Sequence, residues 1–183
     1  MAEHPNKSKR RLRMLYALKD IQLALSAADF LSECDPEGKI SKVELRRFKC
    51  YETTAIMAYS RPFTASAGGF PKLSMKMIGV QLDDKQKALH GKVIALRNKV
   101  TAHSDVQLMR MVVKHEPIDI GDGKAMSFIA TAFDEGLDFL GSDVLELISL
   151  LYVVRRGVYT TLLNDAQENP DKFNFCHDWL FPE

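Results

Sequence analysis

The sequence predicts a mainly α protein, an antiparallel bundle of four to five helices with a β-hairpin inserted before the last long helix. Three observations carry this. Four long segments place apolar residues three and four apart. Two short segments rich in β-branched residues, Met and Phe flank Gly121-Asp122-Gly123. Only one apolar window stands out, Val144 to Val154, and it contains Glu146 and falls well short of the roughly 20 residues that cross a bilayer.

Met14, Leu18, Ile21, Leu25 and Ala28 share one stripe of a first helix over about 10–34, and Asp35-Pro36-Glu37-Gly38 ends it. Ser41 followed three residues later by Glu44 is a capping box, in which each side chain satisfies a free amide, so a second helix opens at Ser41. Leu45, Phe48, Tyr51, Ala55 and Ala58 give that helix its buried face, and it stops before Pro62. Residues 62–82 carry Pro62, Gly68, Gly69, Pro71 and Gly79 without sustained periodicity and read as a long loop, of the kind that is often functional. The carboxylates of Asp83 and Asp84 suit the positive end of a third helix over 83–103, with Leu89, Val93, Leu96 and Val100 inward. Strands at 107–116 and 125–133 form the hairpin. Asp143, three residues before Glu146, opens a last helix over 142–164 with Leu147, Leu151, Val154 and Val158 inward. Residues 165–183 form a tail whose Phe173, Phe175, Trp179, Leu180 and Phe181 predict docking on the bundle or on a partner subunit.

The 183 residues are 46% hydrophobic and 27% charged, which describes a single domain able to bury a core without staples. Three scattered cysteines, Cys34, Cys50 and Cys176, offer neither an even disulfide count nor a C-x-x-C pair, and this favours a cytoplasmic protein. Lys19 and Asp20 interrupt what would be the apolar part of a secretory signal, so neither an export signal nor membrane attachment is expected. His177 beside Cys176 has no third or fourth ligand nearby, and no metal site is expected. The balance of 25 basic to 24 acidic residues is a cancellation. Residues 1–115 carry 21 basic against 11 acidic residues, and 116–183 carry 4 against 13. A basic first part suits an RNA-facing surface, and equally suits oppositely charged halves meeting in a dimer.

The informative segment is Leu96-Arg97-Asn98-Lys99-Val100-Thr101-Ala102-His103-Ser104-Asp105, at the end of the third helix. It resembles the signature of the HEPN superfamily (higher eukaryotes and prokaryotes nucleotide-binding), an Arg followed by a polar residue and, after four to six intervening positions, a His. The run Arg97-Asn98-Lys99 with Ala102-His103-Ser104-Asp105, and Tyr59-Ser60-Arg61-Pro62-Phe63 at the end of the second helix, look like the abortive-infection branch. The resemblance covers the helical core and leaves the hairpin and tail outside. It implies a four- or five-helix bundle and a metal-independent endoribonuclease of toxin or phage-defence type. It also implies a symmetric homodimer with two motifs facing one cleft, and a toxin–antitoxin setting with a cognate antitoxin as partner. A second Arg-to-His spacing, Arg110 to His115, falls in the hairpin with Met111 after the Arg and lacks both the polar neighbour and the helix.

The residue types suit that chemistry. Metal-independent RNA cleavage needs a base for the ribose 2′-hydroxyl proton, a cation for the phosphorane and a donor to fix geometry. His103 exchanges protons near neutrality, Arg97 carries a permanent planar charge, and Asn98 can hold the phosphate or the imidazole. No metal or other cofactor is called upon. Arg61, Lys72, Lys99 and Ser104 are the substrate-binding candidates, with residues 62–82 as a flap over the cleft. On a straight helix Arg97 and His103 stand about 120° and roughly 9 Å apart, so a loosened helix end, a curled Arg side chain or a second protomer must bring them together. The plainer readings stay open beside this one. His103 can cap a helix end, Arg97 can pair with Asp105, and Arg61 before a Pro can be structural. Lys7, Lys9, Arg10, Arg11 and Arg13 suit a nucleic-acid backbone or a solvated leader equally. A non-catalytic HEPN-like module binding a nucleotide, RNA or a protein is the alternative function.

Overall fold

The helices begin where local side chains can satisfy free amides. In the computed structural model, which describes residues 5–66, 69–101, 111–122, 124–133 and 136–173, four helices and one hairpin follow in order. They are α1 (Pro5–Leu31), α2 (Lys42–Ser60), α3 (Asp84–Thr101), β1 (Met111–Asp119), β2 (Ala125–Phe133) and α4 (Ser142–Glu168). The capping box forms as read. Ser41 Oγ accepts from the Glu44 amide at 3.2 Å and Glu44 accepts from the Ser41 amide at 2.9 Å. A second reciprocal cap opens α3, where Asp83 and Gln86 exchange backbone-to-side-chain bonds of 2.8 and 3.2 Å. Asp83 therefore does more than offer charge to the helix dipole.

Several boundaries differ from the expectation. α1 starts five residues earlier and stops at Leu31, because the Ser32, Glu33 and Cys34 amides close tighter turns onto Asp29, Phe30 and Leu31. α4 runs to Glu168 and has no side-chain cap. Gly141 occupies the cap position at φ 53°, and Asp143 lies inside the first turn, where its carboxylate approaches Lys92 at 3.7 Å. The 62–82 segment is not a single loop. It contains short 3-10 turns at Arg61–Phe63 and Met75–Ile78, and the Leu73 amide donates to the Pro62 carbonyl at 2.8 Å, tying the two positions together.

α1 is the central helix, packed on both α2 and α4, and α2 also meets α3. Arg11 near the start of α1 reaches Asp165 near the end of α4, while Pro36 beyond α1 lies beside Gly141 before α4, so these two helices run antiparallel. One cluster forms the core, with Ile21, Leu31, Ile56, Phe139, Leu147 and Leu151 among its fully buried side chains. The stripes read from sequence supply it: Met14, Ile21, Leu25, Phe48, Ala55, Val93 and all four inward residues of α4 are buried. Gly157 permits a close approach, since a β-carbon there would collide with Val80 and lie 2.9 Å from the Ile78 carbonyl oxygen.

β1 and β2 pair antiparallel from Met111↔Phe133 to Asp119↔Ala125. The turn takes positive φ at Gly121 (89°) and Asp122 (52°), as a tight hairpin turn requires. β1 starts at Met111; the first residues of the expected strand, 107–110, lie outside those described. Among the described residues neither strand makes more than marginal contact with a helix. After the hairpin the chain is tied back by a buried carboxylate. Glu52 Oε1 accepts from the amides of Asp138 and Phe139 at 2.6 and 2.8 Å, and Oε2 meets Lys49 at 2.5 Å. Lys49 also donates to the Gly136 carbonyl, and Lys92 donates to the Asp138 carbonyl while lying 4.3 Å over the Phe139 ring. Of the aromatic tail, Phe173 packs on the core under the Arg11 guanidinium, and the remaining aromatics lie outside the described residues. Among the described residues no helix is long and apolar enough to cross a membrane.

Removing the buried Glu52 carboxylate strands two amides and an ammonium group. Glu52→Ala is expected to lower the unfolding free energy by about 3 kcal/mol, measured by urea denaturation, and Glu52→Gln by less because the amide acceptor survives.

Candidate functional site

α3 carries the motif, and its first half is the better anchored. Tyr59, at the end of α2, is fully buried and its hydroxyl lies 2.7 Å from His90 Nδ1. Burial raises the phenol far above its ordinary value, so the phenol keeps its proton, and its hydroxyl shares one hydrogen bond with Nδ1. Burial also pushes His90 below its ordinary value, favouring the neutral ring. Phe63 completes the group, with ring centroids 5.2 Å from Tyr59 and 4.9 Å from His90. Tyr59 is thus a core residue. His90 gives no signal in the sequence beyond its residue type, because its partner stands 31 positions away.

Arg97 lies seven residues after His90, which places both on one face of α3 at a separation of about 10 Å. It is half-buried, and its Nη1 donates to the side-chain oxygen of the exposed Asn98 at 3.1 Å. The two candidate residues are therefore in direct contact. Lys99 falls within α3, while His103 and Ser104, like Asp105, lie outside the described residues. Lys72 is exposed just before the point where Leu73 closes the loop onto Pro62.

Arg61 projects from the turn after α2 and pairs with Asp20 of α1 at 3.0 Å, its side chain 55% exposed. The turn itself is held from the other side. Arg13, 8% exposed, donates to the carbonyls of Arg61 (2.5 Å), Pro62 (2.8 Å) and Thr64 (3.0 Å). Burial lowers the pKa of this guanidinium and Asp20 opposes the shift. Arg11 is buried too, forming a forked pair with Asp165 at 2.6 and 3.1 Å that holds this carboxyl below the usual range. Two members of the basic N-terminal run are thus internal, serving neither as a leader nor as backbone contacts. Lys7, Lys9 and Arg10 remain exposed. Sequence patterning missed Arg13 because its partners are carbonyls 48 to 51 positions away.

The geometry also separates cavity from motif. A cavity of about 350 Å³ lies between residues 78–81 and α4, with Gln81, Arg156, Thr160 and Asn164 among its walls. Arg61, Lys72, Arg97 and Asn98 do not line it. Of the second Arg-to-His spacing, His115 stands on β1 and meets Ser127 at 3.1 Å across the hairpin, and Arg110 lies outside the described residues. Among the described residues no group of three or more His, Cys, Asp or Glu is gathered to hold a metal ion, and Cys34 and Cys50 are free thiols.

Because His90 is held neutral when folded, acid favours the unfolded chain. Stability is complete above the ordinary imidazole value of 6.5 and falls as the pH drops below it, until the folded ring itself takes up a proton. The unfolding midpoint in urea is expected to decline between pH 7 and pH 5.5, with a shallower decline in His90→Gln. Comparison of the chain with models of protein families, with curated proteins and with solved structures gives no match in any of the three.

Proposed function

We propose that the chain is a HEPN-like, metal-independent endoribonuclease of toxin or phage-defence type. The observation that carries this reading is the Arg97-Asn98-x4-His103 spacing at the end of the third of four helices. The contact between Arg97 and Asn98 supports it, since it aligns the guanidinium beside a polar side chain that can fix a phosphate. In this reading His103 takes the proton from the ribose 2′-hydroxyl. The 2′-oxygen attacks the adjacent phosphorus, Arg97 stabilises the charge on the phosphorane, and the 5′-oxygen leaves with a proton. The products are a 2′,3′-cyclic phosphate and a 5′-hydroxyl. Arg61, Lys72, Lys99 and Ser104 serve the RNA backbone, and the exposed Lys7, Lys9 and Arg10 extend the basic surface. Two copies of the motif share one cleft in a homodimer, with an antitoxin as the cellular counterpart.

The test is cleavage of RNA by the purified protein in EDTA. Wild type is expected to cut and to leave cyclic phosphate ends, and Arg97→Ala and His103→Ala are expected to lose at least 100-fold in rate, about the contribution of a positioned acid–base or charge-stabilising group. Intact RNA with retained binding, lost on Arg97→Glu or Arg61→Glu, would establish the non-catalytic module instead. Cutting by both alanine variants at the wild-type rate would remove the proposed site.

A further inference from the structure

The two outer edges of the hairpin differ. Pro117 of β1 has no amide hydrogen to give, and at the turn the Ile120 amide donates to the Lys124 carbonyl at 3.0 Å. Both facts set the same alternation along the ladder: even-numbered residues bond between the strands, and odd-numbered residues point their amides and carbonyls outward. On β2 the outward groups are those of Ala125, Ser127, Ile129 and Thr131, and among the described residues these backbone groups meet no partner. On β1 the corresponding row is interrupted at Pro117, and the strand carries Lys114, Glu116 and Asp119. Charges and proline are the means by which folded proteins close a sheet edge. The nine residues of β2 include neither. One edge is guarded and the other is open.

We infer that the outer edge of β2 is a docking site for an uncharged, extended segment of a partner protein, which adds to the hairpin as a third strand. The edge itself names a strand as the occupant, because another extended backbone is what answers donors and acceptors recurring at every second residue. The neighbouring side chains suit an apolar segment. Ile129 is 65% exposed on one face of the ribbon, Met126 and Phe128 are half-exposed on the other, and the small Ala130 beside Phe128 leaves room for a large side chain from the added strand. A two-stranded ribbon that meets the helices only marginally is weak by itself, and a third strand supplies the pairing it lacks. Nucleic acid does not fit, since residues 111–133 carry two basic against three acidic residues. A second copy pairing its own β2 here, about an axis other than the motif's, would link dimers into an open chain, so the strand comes from a different polypeptide. That choice of donor rests on the nuclease reading; the open edge does not.

Amide hydrogen exchange, followed by NMR on the full chain, tests the edge. In the isolated protein the amides of Ala125, Ser127, Ile129 and Thr131 are expected to exchange fast, and those of Met126, Phe128 and Ala130 slowly. The probe is the acetylated and amidated peptide Lys-Thr-Val-Thr-Val-Thr-Val-Thr-Lys at millimolar concentration, which is expected to slow the four outward amides several-fold. Ile129→Pro removes one outward amide, as Pro117 does on β1, and spares the ladder. It is expected to keep the even-numbered amides slow and to abolish the effect of the peptide, and Thr131→Pro does the same at the next outward position. Phe128→Pro removes a ladder bond instead and is expected to open the hairpin. Outward amides already protected in the isolated protein, which is the result a second copy on this edge would give, overturn the inference. So does a peptide that slows none of the four, or one that slows them equally in both edge-proline variants. RNA cleavage or its absence moves none of these readings.

Discussion

A single buried guanidinium organises the end of the bundle where α1 starts and α2 stops. Arg13 leaves α1 and donates to three carbonyls of the turn that follows α2, at Arg61, Pro62 and Thr64. Charge-assisted bonds of this kind are each worth more than a neutral pair, and they add to the Thr64 and Leu73 amides that the Arg61 and Pro62 carbonyls also accept. Everything next to that turn inherits its geometry. Phe63 is set against Tyr59 and His90, so the start of α3 is positioned from α2. Arg61 is turned outward to Asp20, and the Pro62 carbonyl also receives the Leu73 amide, tying the two positions together. A methionine at position 13 would fill the space but donate no hydrogen bond, so a cation is needed for its bonds and not for its bulk.

The polarity of the sequence is in part consumed inside the molecule. Arg11 pairs with Asp165, Lys49 with Asp138, and Lys92 approaches Asp143, each joining the basic first part of the chain to its acidic last part. The cancellation seen in net charge is therefore partly a set of cross-chain ties between α1, α2 or α3 and the segment around α4. Most of these pairs are partly exposed and contribute little one by one. Glu52 is different: it is fully buried, and its oxygens answer two amides and an ammonium group together. Arg11 and Arg13 are withdrawn from the surface, whereas Lys7, Lys9, Arg10, Arg61, Lys72 and most other described cations of residues 1–115 remain exposed.

What was legible in the sequence was local. The Ser41–Glu44 box spans three residues, so a pattern fixes it, and the inward stripes of α4 follow from periodicity alone. The hairpin was legible because its turn demands positive φ at Gly121 and Asp122. The ends of α1 and α4 were less so, because extra turns are settled by contacts across the bundle, such as Arg11 with Asp165. Glu52 and Arg13 resemble surface residues in any window, since nothing within a few positions reveals that their backbone partners stand 48 to 87 residues away. The motif itself was legible as Arg97 and Asn98, whose contact the structure supplies, but a helical wheel could not foresee the Tyr59–His90 anchor beneath them.

That anchor has a consequence for assigning roles along α3. His90 and Arg97 share a face two turns apart, yet their surroundings are opposed: His90 packs with Tyr59 and Phe63, whereas Arg97 is half-buried against the exposed Asn98. Truncating a packed residue perturbs the helix that positions the motif, and truncating a surface cation leaves the helix in place. If the proposed nuclease activity is present, its loss together with stability belongs to positioning through His90 and Tyr59. Loss without a stability change belongs to chemistry or binding at Arg97. One helix thus contains both the control and the experiment, and unfolding and turnover measured on the same variants separate them.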